Sequence, residues 1–230
     1  MPSVLVVDDQ ILIRAGLVAL LRAAPGLQVI GEASDGEEAV RMAATARPEV
    51  ILMDIRMPGT DGITATQRIL AAAADPPPRI LILTTFDLDQ YVYTALRAGA
   101  CGFLLKDTPP QRLLAAIDTV ASGDMLFAPT ITRRLIEAYT PRPEPATAPP
   151  PEMDILTTRE CEVLRLVATG LSNAEIAEHL VLSTATIKTH LNRTMNKLAL
   201  SSRAQAVVLA YETGLITPRR HQAAPLPEPG

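Results

Sequence analysis

The sequence predicts two joined folds: a doubly wound α/β domain built on a five-stranded parallel sheet, then a smaller all-α domain of four helices. Three observations carry this. Short apolar runs alternate with amphipathic segments of helical length through the first half, a proline-rich stretch interrupts the chain, and only helix-forming patterns follow it. At 230 residues the chain also exceeds the roughly 150 expected of one domain.

The apolar runs are Val4–Val7, Leu27–Ala33, Val50–Met53, Ile80–Leu83 and Gly102–Leu105. Four of them are short and apolar on both faces, as a strand covered on two sides must be, and Leu27–Ala33 is less regular. The intervening helices are predicted at 10–23, 35–47, 61–74, 88–98 and 109–122, the last opened by Pro109-Pro110 where a helix tolerates proline. These five βα units define a domain at 1–122. A linker over 123–153 contains a further predicted helix at 130–139 and then six prolines within 140–153. In polyproline form those fourteen residues reach roughly 40 Å, at about 3.1 Å each, so the two domains need not touch permanently.

The second domain spans 154–216. Thr157 with Glu160 and Ser172 with Glu175 have capping-box spacing, and Gly170 is placed to end the first of these helices. A third helix begins near Thr184 after a Val181-Leu182-Ser183 turn, and a fourth runs from about Ser202 to Thr213. Residues 217–230 read as a flexible tail.

Composition narrows the function. Aromatic residues make up 3% of the chain and tryptophan is absent, which leaves little for base-stacking platforms. Cys101 and Cys161 lack the partners of a disulfide framework or zinc site. The N-terminus shows neither a basic leader nor an apolar run of membrane length, so a cytoplasmic protein with no membrane association is expected. The formal charge of −4 is unevenly spread: residues 1–138 hold 12 basic against 16 acidic side chains, whereas 154–221 hold 8 against 6. Between 183 and 203 stand Lys188, Arg193, Lys197 and Arg203 with no acid, the footprint of a phosphate-facing surface or of a solvated helix face.

In an open parallel sheet, ligands bind beyond the strands' carboxyl ends where strand order reverses. Asp8 and Asp9 follow the first strand and Asp54 ends the third, so the fold brings three carboxylates together. Their mutual repulsion calls for a shared cation, and an all-oxygen donor set favours Mg²⁺ over zinc or copper. Thr84 ends the fourth strand and Lys106 the fifth. A carboxylate nucleophile, a cation, a hydroxyl and a lysine together suit phosphoryl transfer.

The strings Val4-Leu5-Val6-Val7-Asp8-Asp9, Met53-Asp54-Ile55-Arg56-Met57-Pro58-Gly59 and Gly99-Ala100-Cys101-Gly102-Phe103-Leu104-Leu105-Lys106, with Thr84, resemble the flavodoxin-like receiver domain of bacterial two-component response regulators over about residues 2–122. The resemblance implies that Asp54 is phosphorylated, that Asp8 or Asp9, Asp54 and the Arg56 carbonyl hold Mg²⁺, and that Thr84 and Lys106 bind the phosphoryl group. Phe103 falls at the family's aromatic switch position, with a plain core residue as the alternative. Lys106 is followed by Asp107 where many receivers have proline, so switching through a cis Lys-Pro bond does not transfer.

Over 184–198, Ile187, Leu191, Thr194 and Leu198 form a helical stripe with one polar interruption, and Lys188, Thr189, Asn192 and Asn196 face away from it. A polar face with a basic margin suits a helix entering the major groove. Leu156-Thr157-Thr158-Arg159-Glu160, Gly170-Leu171-Ser172-Asn173-Ala174-Glu175-Ile176-Ala177 and Thr186-Ile187-Lys188-Thr189-His190-Leu191 resemble the LuxR-type helix-turn-helix domain, and the two domains together resemble the NarL/FixJ class. The resemblance directs Lys188, Thr189 and Asn192 to base edges and Ser183, Thr184, Thr186, Arg193 and Lys197 to phosphates. Thr194 departs from the aliphatic residue usual there. Val207, Val208 and Tyr211 of the last helix are expected in a DNA-bound dimer contact, or in the helical core.

The expected function is that of a transcriptional response regulator and not an enzyme: a sensor histidine kinase phosphorylates Asp54, and the chain dimerises on a two-fold double-stranded DNA operator, with RNA polymerase as a further partner. A haloacid-dehalogenase-like phosphohydrolase needs Asp-x-Asp after the first strand, but here the acids are adjacent and Gln10 follows. A dinucleotide-binding oxidoreductase lacks its glycine fingerprint. A DNA-binding regulator with a vestigial receiver is disfavoured because the acids, Thr84 and Lys106 are all present.

Overall fold

The computed structural model describes residues 1–74, 76–84, 89–122 and 153–216. The helix predicted at 130–139, most of the linker and the tail from 217 lie outside the described residues.

Five parallel strands, β1 (Ser3–Val7), β2 (Gln28–Ala33), β3 (Val50–Asp54), β4 (Arg79–Thr84) and β5 (Gly102–Leu105), form one sheet in the order β2-β1-β3-β4-β5. Strand side chains alternate between faces, which divides the core in two. Val4, Val6, Val50, Leu52, Leu81 and Leu83 pack with α1 (Ile11–Ala23) and α5 (Pro110–Ala121) through Val18, Leu21, Leu113 and Ile117. Leu5, Val7, Ile51, Met53, Ile80 and Ile82 meet α2 (Gly36–Ala46), α3 (Gly62–Ala72) and α4 (Asp89–Arg97) through Ala39, Ala65, Ile69 and Ala95. Order reverses between β1 and β3, and Val7 pairs with Met53, so Asp8 and Asp54 emerge side by side.

The second unit consists of α6 (Thr158–Thr169), α7 (Asn173–Leu180), α8 (Thr184–Lys197) and α9 (Arg203–Glu212). Both capping boxes form, and Gly170 ends α6 at φ 99°, a left-handed conformation that glycine adopts without strain. The core contains Val163, Leu164, Val167, Ile176, Ile187, Leu191, Val207, Val208 and Tyr211. Thr194 is fully buried in it because its hydroxyl donates to His190 O at 2.9 Å, so the polar interruption of the stripe satisfies itself within the helix.

The two units are docked. Tyr93 and Leu96 of α4 join the core cluster of the helical unit. Tyr93 Oη donates to Glu212 Oε1 at 2.8 Å, Arg97 Nε pairs with the same oxygen at 3.2 Å, and Gln205 Nε2 donates to Arg97 O at 2.9 Å. Ser202 Oγ adds a bond to Ala100 O at 3.3 Å.

Candidate functional site

Asp8, Asp9 and Asp54 each offer a carboxylate oxygen within 4.8 Å of the others, at the carboxyl ends of β1 and β3. Asp8 is fully buried, Asp54 nearly so, and Asp9 is exposed. Lys106 reaches in from the end of β5, its ammonium 2.7 Å from Asp8 Oδ2 and 2.8 Å from Asp54 Oδ2. The Lys106 main chain is itself anchored, its N–H donating to Thr84 O at 2.8 Å.

The electrostatics are unbalanced. Burial pushes the Asp54 carboxyl above its ordinary range; Lys106 pulls it back, while the Asp8 charge adds to the push. Burial also works against the Lys106 ammonium, but its bonds to Asp54 and Asp8 outweigh that and hold it above the usual lysine value. One ammonium pairs with two of three clustered carboxylates. Asp8 Oδ2 has this ion pair but no aligned hydrogen bond, although Oδ1 accepts from Gln10 N at 2.9 Å. A buried, under-satisfied carboxylate oxygen within an all-oxygen set fits a hard divalent cation.

Arg56 follows at the exit of β3: its N–H lies 3.4 Å from Asp54 Oδ1 and its guanidinium 5.8 Å from the Tyr91 ring centroid. Asp9, Arg56 and Tyr91 line an open cleft of about 840 Å³ beside the acids. Thr84 is buried, and Phe103, half-buried on β5, packs against both the α2–α4 side of the sheet core and the helical unit's core.

Gly62 was not singled out from sequence. A Cβ there would stand 1.9 Å from Asp54 O, so the first residue of α3 must be glycine for the end of β3 and the helix to approach this closely. The Asp61-Gly62 pair was the available signal: Asp61 caps α3 by accepting from Thr64 N at 2.8 Å.

On α8, Lys188, Thr189, Asn192, Arg193 and Lys197 are exposed, as are Ser183 and Thr184 before them, with Thr186 half-buried. Ser183 caps the helix through Thr186 N at 3.1 Å. Lys188, Asn192 and Asn196 line a cavity of about 410 Å³ between the units, whose other walls include Arg79, Cys101 and Ser122 of the α/β unit. Lys197, read from sequence toward phosphates, has its ammonium on Glu160 Oε2 at 2.7 Å and Ile155 O at 3.2 Å. Val207, Val208 and Tyr211, the dimer candidates, are each at most 3% exposed in the cluster that α4 joins.

Two family models match separate parts of the chain. Residues 4–118 match the response regulator receiver domain, and residues 154–210 match the bacterial regulatory proteins of the luxR family. The transcriptional regulatory protein LiaR of Bacillus subtilis (strain 168) is 40% identical over 94% of this chain and all of its own length. The oxygen regulatory protein NreC of Staphylococcus aureus (strain JH9) is 36% identical over 93% of this chain and 99% of its own. Among solved structures, the RcsB–DNA complex aligns with a TM-score of 0.51 at 27% identity, covering 90% of this chain and 96% of that one. The receiver domain of NarL from Mycobacterium tuberculosis aligns with a TM-score of 0.51 at 37% identity, covering 53% and 97%. The chain belongs to the response regulators that join a receiver domain to a LuxR-type DNA-binding domain.

Proposed function

We propose that Asp54 accepts a phosphoryl group from the phosphohistidine of a sensor kinase and that this event releases α8 to read DNA. The observation that carries the reading is Phe103, which touches the sheet core and the helical unit's core at once and lies on the strand next to that of Thr84, paired with Ile82 two residues before it.

Asp8, Asp9, Asp54 and the Arg56 carbonyl would hold Mg²⁺, which supplies neutralisation of phosphoryl oxygens. An Asp54 carboxylate oxygen attacks phosphorus, the P–N bond breaks, and its electron pair leaves with the imidazole. Lys106 then exchanges a carboxylate partner for a phosphoryl oxygen, and the Thr84 hydroxyl donates to another. When Thr84 moves, the space beside Phe103 changes, and with it the packing under Tyr93 and Leu96.

In the docked arrangement Lys188 and Asn192 look onto Arg79 and Ser122, not onto solvent alone, and Val207, Val208 and Tyr211 are covered. Undocking exposes both sets. Lys188, Thr189 and Asn192 then reach base edges, Ser183, Thr184, Thr186 and Arg193 meet phosphates, and α9 pairs two copies on a two-fold operator. Lys197 joins the phosphate contacts only by leaving Glu160.

Intact mass with a small phosphodonor and Mg²⁺ tests the site. The chain is expected to gain one phosphoryl group and Asp54→Asn none. Equal incorporation by Asp54→Asn would move the acceptor elsewhere, and a folded wild-type chain that is never modified would favour a regulator working without phosphate.

A further inference from the structure

Arg14, on the first turn of α1, makes a contact that neither the acid cluster nor the DNA surface accounts for. Its side chain is 15% exposed, and Nη1 donates to the main-chain oxygen of Asp8 at 2.6 Å. That oxygen belongs to the peptide joining Asp8 to Asp9. The other polar groups of Asp8 are also held: its N–H donates to Ala33 O at 3.1 Å, Oδ1 accepts from Gln10 N at 2.9 Å, and Oδ2 faces Lys106 at 2.7 Å. Asp9 differs, because its exposed carboxylate has no side-chain bond among the described residues. Where that carboxylate points therefore depends on the peptide before it, whose carbonyl oxygen is the one Arg14 holds.

A bare guanidinium so near a cation pocket would repel the cation it helps to place. Glu32 of β2 answers this. Its Oε2 lies 3.7 Å from Arg14 Nε, and Oε1 lies 3.9 Å from Arg22 Nη2. Glu32 both orients the guanidinium from the far side and offsets its charge.

We propose that Arg14 is a positioning residue for divalent-cation binding: it fixes the Asp8–Asp9 peptide so that the Asp9 carboxylate converges with Asp8 and Asp54, and Glu32 aims it. The inference rests on the Mg²⁺ reading above. Groups that orient metal ligands from outside the coordination sphere typically alter affinity by about 10- to 100-fold.

The test uses the full chain with Mn²⁺ as the spectroscopic probe, counting free ion by electron paramagnetic resonance, with Mg²⁺ as competitor. Arg14→Ala is expected to weaken Mn²⁺ binding about tenfold, Arg14→Lys to recover part of the loss, and Glu32→Gln to weaken it less. A purely structural role would lower the metal-free thermal midpoint and leave the Mn²⁺ affinity alone. Wild-type affinity in a folded Arg14→Ala chain overturns this inference while sparing the cation reading. If Arg14→Ala does not fold, unchanged affinity in both Arg14→Lys and Glu32→Gln overturns it instead. A wild-type chain that takes up no Mn²⁺ overturns the cation reading, and this inference falls with it.

Discussion

Both domains place a lysine on a buried carboxylate, and the two arrangements differ in what is left over. Lys106, with a side chain 6% exposed, faces Asp8 and Asp54 while Asp9 adds a third carboxylate, so negative charge remains in excess. Lys197, 38% exposed, faces one carboxylate among the described residues, Glu160, beside the Ile155 carbonyl, and Glu160 is satisfied further by Thr157 N at 2.8 Å within the capping box of α6. The first cluster is left with like charges in excess, an arrangement that a divalent cation would relieve. The second is neutral and complete, and it fastens the end of α8 to the start of α6. Unbalanced charge sets the candidate site apart here, and balanced charge marks a structural joint.

The acid pocket depends on main-chain proximity as much as on charge. Gly62→Ala puts a methyl group against the Asp54 carbonyl, and is expected to cost about 3 kcal/mol and to impair phosphorylation. Gly16, in α1, has nothing within 4 Å of its would-be Cβ, so Gly16→Ala should stabilise by about 0.5–1 kcal/mol. Urea unfolding of both variants measures the contrast, and similar changes in the two would show that the close approach at Asp54 relaxes freely.

Operator binding separates the lysines of the DNA-binding domain. Lys188, exposed and with no ion pair among the described residues, should lose about 1–3 kcal/mol of operator affinity on change to alanine and relax base preference at one position. Lys197→Ala should act mainly on thermal stability. If it instead lowers the salt slope of DNA binding by about 1, Lys197 leaves Glu160 for a phosphate in the complex, and the view of that pair as a fixed joint fails.

These contrasts also show what a sequence exposes. The convergence of Asp8, Asp9 and Asp54 was legible because the strand-order rule places strand ends without side-chain detail, while the expectations for Thr84, Phe103 and the α8 residues rest on motif resemblance. Helix starts were read one residue early at 35 and 61 because Asp35 and Asp61 are caps outside the helices, accepting from Glu38 N and Thr64 N. The fit of Gly62 against Asp54 left no periodic trace. Neither did the docking of Tyr93 on Glu212, 119 positions away. The basic run over 183–203 looked uniformly available because its answering acid, Glu160, lies 37 positions from Lys197.

The smallest effects give the sharpest form of the comparison, because they should have opposite signs. Asp9→Asn removes one of three mutually repelling carboxylates, so without divalent cation it should raise stability by about 1 kcal/mol, a gain that shrinks when Mg²⁺ is added. Glu160→Gln should lower stability by about 1 kcal/mol or less, since it breaks a single balanced pair. The bond from Lys197, followed by that from the Thr157 N–H, holds the Glu160 carboxyl at about 2 instead of 4.5. A carboxyl depressed on folding contributes stability above its unfolded value and loses it as pH falls toward the folded one. The gap in thermal midpoint between wild type and Glu160→Gln should therefore be full at pH 7 and close as pH falls from about 4.5 toward 2. The absence of any gap at pH 7 would mean that Glu160 acts through its hydrogen bond from the Thr157 backbone, which glutamine can also accept, and not through the charge of Lys197.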